Sequence, residues 1–168
     1  MDFVPYQILR FWYFTIPMYT IYHPSQSDYP ELIALWESSV RATHHFLGDE
    51  DIDYFKKKIL EGYFDFVDLY AAKSADEKIL GFLGLTSEKI EMLYVQPDQM
   101  GKGIGKFLLR YAIQDKGVSM VDVNEENQQA VGFYQKMGFK INKRNPFDSE
   151  GKPHAILEME LAQVPPSI

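Results

Sequence analysis

Apolar and polar positions divide the chain, from about residue 19 onward, into short extended runs and amphipathic helices. "YTIYH" (19–23) is a β-branched and aromatic run that predicts a first strand. Asp28 with Glu31 three positions later, and Pro30 between them, predicts a capping box opening a helix. Leu32, Leu35, Trp36, Ser39, Val40 and Thr43 keep helical spacing, so this helix is expected over 29–46, ended by Gly48. A second helix is predicted from Asp49 to near Gly62. It carries Ile52, Phe55 and Ile59 on one face and Lys56, Lys57 and Lys58 on another.

From Phe66 the period shortens to two. "FVDLYAAK", "KILGFLGLT" and "KIEMLYVQP" are separated only by "SADEK" and "SEK", which predicts three strands in an antiparallel meander. A glycine-rich loop then leads into a helix over 103–116 with Gly117 as its C-cap, followed by a strand "VSMVDV". A helix over 126–137 stops at Gly138, and "FKINKRN" and "AILEMEL" form two strands around the turn "PFDSEGKP". The predicted order is β-α-α-β-β-β-α-β-α-β-β, a single α/β domain with a mixed central sheet over 18–161. Residues 162–168 are left as a tail.

Composition narrows what such a domain can do. A chain of 168 residues with 46% hydrophobic and 24% charged residues buries a core without staples. It has no cysteine, which excludes disulfides, thiolate metal sites and a cysteine nucleophile. The four histidines are scattered apart from His44 and His45, so no metal is implied. A net charge of −7 argues against nucleic acid as a partner, although Lys102, Lys106 and Arg110 form a local basic patch beside the glycines. "MDFVPYQILRFWYFTIP" (1–17) is too short and too polar to span a bilayer and lacks the basic start and cleavage site of a signal peptide. It is expected to be an extension outside the catalytic design, whose aromatic residues suit a surface or homodimer contact.

"QMGKGIGKFLLRYAIQDKG" (99–117) places Gly101, Gly103 and Gly105 where a helix must nucleate, although each glycine inside a helix costs about 1 kcal/mol against alanine. Glycines between a strand and a helix let backbone N–H groups converge on an anion, which the helix dipole also favours. A phosphate loop of the Walker type needs a hydroxyl after Gly-Lys, and here Phe107 follows Lys106. A dinucleotide fingerprint needs a tight strand-to-helix turn, and here residues 96–100 intervene.

"LYVQPDQMGKGIGKFLLRYAI", followed by "NEENQQAVGFYQKMGF", resembles the GCN5-related N-acetyltransferases (GNAT), and with the element order the resemblance covers residues 18–161. It implies a cytoplasmic, acetyl-CoA-dependent N-acetyltransferase that moves an acetyl group directly to a primary amine, with acetyl-CoA lying where the fourth and fifth strands splay. The backbone of Leu93, Tyr94 and Val95 is expected to polarise the thioester carbonyl. The amides of Gly101, Lys102, Gly103, Ile104, Gly105 and Lys106 are expected to hold the pyrophosphate. The family's loop opens on Arg or Gln, whereas here Met100 stands in that place and Gln99 comes one position early. Asn127 matches the asparagine that begins the following helix and meets the pantetheine arm; by itself it is also a good N-cap. Phe133 and Phe139 are expected in the core.

Amide formation from a thioester needs a neutral amine and a proton for the leaving thiolate. Tyr134 stands at the family's general-acid position, and a phenol with an ordinary pKa of ~10 holds its proton at pH 7. Three residues are candidates to take the proton of the amine, in the order Glu91, His44, Asp122. The strand period places Glu91 on the face of Leu93 and Val95; His44 ends the first helix; Asp122 lies five residues before Asn127. His154, on the last hairpin, is a further candidate for the acceptor side. The acceptor is expected to be a small-molecule amine or a peptide amine, cationic amines suiting an acidic protein. A CoA-responsive binding module is the alternative; the Met100 departure favours it and the retained Tyr134 opposes it. Deleting residues 1–17 should leave a domain that folds and binds acetyl-CoA. Insolubility of the shortened protein, or loss of CoA binding in calorimetry, would count against that assignment.

Overall fold

The computed structural model describes residues 18–162, so the expectations for residues 1–17 and for the tail from residue 163 lie outside the described residues. The elements follow the predicted order. They are β1 (Thr20–Tyr22), α1 (Tyr29–Thr43), α2 (Asp49–Lys58), a helical stretch (Ile59–Tyr63) kinked at Gly62, the single turn α3 (Phe64–Phe66), β2 (Asp68–Lys73), β3 (Ile79–Leu85) and β4 (Lys89–Val95). There follow α4 (Ile104–Gln114), β5 (Met120–Asn124), α5 (Gln128–Lys136), β6 (Phe139–Asn145) and β7 (Ile156–Leu161). The seven strands make one mixed sheet in the order β1-β2-β3-β4-β5-β7-β6.

All neighbouring strands run antiparallel except β4 and β5, which are parallel and connected through α4. Parallel neighbours need a crossover of this kind, and the helix covers the sheet as it returns. The β4–β5 ladder has only two rungs, Lys89 with Met120 and Ile90 with Val121. β4 stays paired with β3 as far as Val95, which lies opposite Gly81. Past Ile90 one edge of β4 is therefore open, and the sheet splits there. That split positions the site.

Each face of the sheet carries its own core. On one side Leu32, Leu35, Trp36 and Val40 of α1 pack with Phe64, Phe82 and Met92. On the other, Ile104, Leu108, Leu109 and Ala112 of α4 join Val131 and Tyr134 of α5 against Leu83, Ile90, Val121 and Leu157. The period of two in the strands and of 3.6 in the helices supplies both sets.

Several boundaries differ from the pattern-based expectation. The capping box lies one turn earlier: the Ser25 N–H donates to Asp28 Oδ2 (2.8 Å) within a short 3-10 turn, and Asp28 makes no side-chain cap on α1. A residue already inside a helical turn cannot also reach forward as an N-cap. α1 stops at Thr43 rather than at residue 46. The Thr43 hydroxyl donates to the Ser39 carbonyl (2.8 Å), and His44 leaves the helical region at φ −109°, ψ 63°. Phe66 belongs to the turn α3, so β2 begins at Asp68 rather than at residue 66.

Candidate active site

α4 begins at a glycine in the left-handed conformation, Gly103 with φ +91°, preceded by Gly101 at φ +78°. A Cβ at either position would meet nothing within 4 Å, so these residues border open space. No side chain caps the helix, which leaves its first N–H groups free for an anion. Gly105 differs: its Cβ would touch Phe133 at 3.5 Å and Val95 at 3.9 Å, ordinary contacts that alanine could make. Packing between α4 and α5 therefore does not by itself require glycine here, and Gly105 also borders the cavity described next.

The loop opens into a cavity of about 260 Å³ between β4, α4 and α5. Leu93, Tyr94, Val95, Met100, Gly101, Gly103, Gly105, Lys106, Asn127 and Tyr134 all border it, as the resemblance implied. Lys102 and Ile104 do not. The Lys102 ammonium turns to Gln99 Oε1 (3.3 Å), while Ile104 is buried in the core and offers only its backbone. Met100 holds the expected Arg/Gln place with its sulfur 3.9 Å from Gln129 Nε2, and Gln99 lines the cavity beside it. Phe133 packs, partly buried, against the core as expected and also forms part of the wall, and Phe139 is buried as expected.

On the β4 side the wall is a strand edge. The Gln96 N–H donates to Leu80 on β3 (2.9 Å), and backbone groups alternate along a strand, so the N–H groups of Val95 and Leu93 face the split. Free edge amides, an uncapped helix start and an open glycine cradle fit a long, anionic ligand with a polarisable carbonyl at one end. These are the features that acetyl-CoA requires.

A second, smaller cavity of about 100 Å³ adjoins the first and shares His44, Leu93, Tyr94, Asn127, Ala130 and Tyr134 with it. Asn127 fixes this junction. Its Oδ1 accepts the Ala130 N–H (3.1 Å) as the N-cap of α5, which turns its amide Nδ2 toward His44 Nε2 (3.4 Å). The Thr43 hydroxyl already donates to Ser39, so His44 Nδ1–H donates to Thr43 Oγ1 (2.8 Å) and Nε2 keeps its lone pair. Burial, and then the neighbouring His45, hold the His44 pKa below the ordinary histidine value. His44 is therefore a neutral imidazole with its basic nitrogen toward the cleft.

Tyr134 is buried, packed edge-on against Phe133 (5.2 Å) and Phe139 (5.3 Å). Burial, with a smaller effect of Tyr94, pushes its phenol above the ordinary tyrosine value, so it remains protonated. It borders both cavities, and no sealed polar atom lacks a partner among the described residues.

Glu91 and Asp122 also line the smaller cavity, so all four sequence-predicted catalytic candidates meet there. The predicted face of Glu91 is corrected, however. Gly84 pairs with Met92 and Leu85 with Ile90, which leaves Glu91 as the extra residue of a β-bulge. Ile90 packs with the α4 core and Met92 with the α1 core, so the alternation breaks between them, at Glu91. The Glu91 carboxylate instead takes hydrogen bonds from Tyr63 (3.0 Å) and Thr86 (3.2 Å). Asp122 is bound to Lys89 at 2.6 Å and is partly exposed. His154 lies beside Phe46, with ring centroids 5.2 Å apart, and its Nδ1 meets Glu126 at 2.6 Å.

Sequence reasoning missed Tyr63, Thr86 and Thr43, none of which belongs to a motif. It also missed the docking of the β6–β7 hairpin onto α2. There Glu150 takes Lys58 (2.7 Å) and Tyr54 (3.0 Å), and Lys152 pairs with Asp51. Among the described residues no cluster of three metal-ligating side chains occurs, and no helix is long and apolar enough to cross a membrane.

Comparison with known proteins agrees with this geometry. The model of the acetyltransferase (GNAT) domain matches residues 66–141. The peptidyl-lysine N-acetyltransferase YjaB of Salmonella typhimurium is 39% identical over 132 residues, covering 77% of this chain and 88% of that protein. YjaB of Escherichia coli is 35% identical over 129 residues, covering 77% and 87%. The solution structure of apo YjaB from Escherichia coli superposes with a TM-score of 0.77 at 32% identity, covering 86% of this chain and 97% of that one. The PaiA N-acetyltransferase of Thermoplasma acidophilum, solved with coenzyme A, shares the fold at 24% identity and a TM-score of 0.64, covering 84% and 98%. With its glycine cradle, split sheet and buried tyrosine, the chain belongs to the GNAT family of acetyl-CoA-dependent N-acetyltransferases.

Proposed function

We propose that the acceptor is the side-chain amine of a lysine in a peptide or protein, that His44 takes its proton, and that Tyr134 is the general acid. The observation that carries this reading is the junction of the two cavities at His44, Asn127 and Tyr134. The lysine acceptor is supported by the activity named for the YjaB relatives and by the carboxylates of Glu91 and Asp122 in the acceptor cavity. When bound, acetyl-CoA supplies the acetyl thioester. The amides of Gly101 to Lys106 bind its anionic end, and the edge N–H groups of Leu93 and Val95 orient the carbonyl.

A lysine ammonium, with an ordinary pKa of ~10.4, must lose a proton before its nitrogen can attack. Nε2 of His44 is a basic atom at the junction, met only by the long contact from the Asn127 amide (3.4 Å), and Thr43 holds the far side of the ring. Asp122 is engaged by Lys89, and Glu91 by two hydroxyls. Tyr134 holds a transferable proton at its hydroxyl throughout the neutral range.

The test is acetyl-CoA consumption with lysine-containing peptides, with mass spectrometry locating the acetyl group. His44→Gln should lower kcat/KM by about 10²-fold. The wild-type acid limb should fall below the reference of ~6.5, because burial disfavours the imidazolium, and this limb should vanish in the variant. Persistence of the limb in His44→Gln with its loss in Glu91→Gln moves the proton acceptor to Glu91. The same depressed pKa has a stability consequence. Folded His44 binds its proton less readily than the unfolded chain does, so its contribution to stability falls as pH drops below ~6.5 toward the folded value.

A further inference from the structure

On the reading that a lysine amine is the acceptor, we propose that Tyr63 is a positioning residue which, with Thr86, fixes the Glu91 carboxylate as the group that recognises the acceptor's ammonium. Two backbone irregularities converge on this carboxylate. The bulge in β4 makes Glu91 the unpaired residue opposite Gly84 and Leu85. The helical segment after α2 breaks at Gly62, whose φ of 167° and ψ of −18° are non-helical, immediately before Tyr63. A bulge re-aims a side chain and is found beside functional sites more often than elsewhere, and a break in a helix redirects the residues that follow it. Here they deliver Tyr63 and Glu91 to one another across 28 residues of sequence, at 3.0 Å. Thr86, on the β3–β4 turn, completes the clamp at 3.2 Å on the other oxygen.

The clamp leaves the carboxylate oriented but, among the described residues, in no direct ion pair. Each oxygen accepts one hydroxyl hydrogen and keeps further acceptor capacity. Among the described residues both side-chain partners of Glu91 are uncharged. Glu37, also partly exposed, is by contrast met by Lys56 (2.6 Å) and Arg41 (3.0 Å). The other carboxylate of the same cavity, Asp122, is neutralised by Lys89. A half-buried carboxylate with no cation bonded to it, whose charged neighbour Lys89 is held by Asp122, stands in the wall of a small polar cavity and attracts a cation of matching size. An alkylammonium is such a cation, and the neighbouring His44 can then relieve it of a proton. Tyr63 remains a donor to Glu91, since burial and the Glu91 charge push its phenol upward.

The experiment is a double-mutant cycle on the full chain, with steady-state kinetics for a lysine peptide and for a short aliphatic diamine. Tyr63→Phe keeps the ring that packs beside Phe66 (5.9 Å). It should raise the acceptor KM about 3–10-fold and leave the KM for acetyl-CoA unchanged. Glu91→Gln should raise the acceptor KM by ~10-fold or more, and the double variant should be no worse than Glu91→Gln alone. Thr86→Val, which removes the second hydroxyl, should reproduce the acceptor-specific loss and serves if Tyr63→Phe folds poorly. Multiplicative losses in the double variant, or an equal rise in both KM values, overturn the clamp and leave Tyr63 a packing residue. If the diamine is acetylated and lysine peptides are not, the lysine reading falls. The same cycle on the diamine then decides the clamp by the same criteria.

Discussion

Tyr134→Phe is expected to lower turnover by about 10²-fold or more, while acetyl-CoA affinity and thermal stability stay close to wild type. The ring is the packing element: it lies 5.2 Å from Phe133 and 5.3 Å from Phe139, and phenylalanine keeps both contacts. Buried as the ring is, the hydroxyl stands at the border of the two cavities, and its loss takes away a proton rather than a core contact. Because burial raises the phenol's pKa, the wild-type group is a proton donor and not a base across the neutral range. The loss should therefore be found in kcat at every pH from 6 to 9, with calorimetric affinity for acetyl-CoA preserved. Wild-type turnover in the variant would return Tyr134 to a packing role and require another acid.

The second large effect is expected at the cofactor loop. Gly103→Asp should nearly abolish acetyl-CoA binding in a protein that still folds. At φ +91° any side chain is strained by roughly 1–2 kcal/mol, though aspartate tolerates this region better than most. The new carboxylate would meet no protein atom within 4 Å of its Cβ, so it would stand in the open cradle at the start of α4. Like unit charges about 4 Å apart repel by about 4 kcal/mol at an effective dielectric of about 20, which is roughly 10³-fold in affinity. Gly103→Ala carries the backbone strain without the charge and should lose far less. Equal losses in the two variants would assign the effect to strain, and unchanged affinity in both would remove the pyrophosphate from this loop.

The two motifs were legible because their structure is local. A glycine-rich strand-to-helix turn, an asparagine N-cap and a helix ending at Gly138 depend on residues within a few positions of one another. Gly103, Asn127 and Tyr134 accordingly stand where the sequence indicated. The meander, the crossover helix and the closing hairpin followed from periods of 2 and 3.6 and from short turns, and their order matches the observed one.

Tertiary structure decided the acceptor side. The face of Glu91 could not be taken from alternation, because the bulge forms between β3 and β4 only when both strands are in register. Tyr63 meets Glu91 just after the break in the helix at Gly62, and no sequence motif marks that reach. The His44 ring is oriented by Thr43 at its own helix end and by Asn127, 83 residues away in sequence. Local spacing fixed where the glycine loop and Tyr134 would lie. Which carboxylate stays without a cation, and which imidazole nitrogen keeps its lone pair, depends on hydrogen bonds between residues far apart in sequence that exist only once the chain is packed.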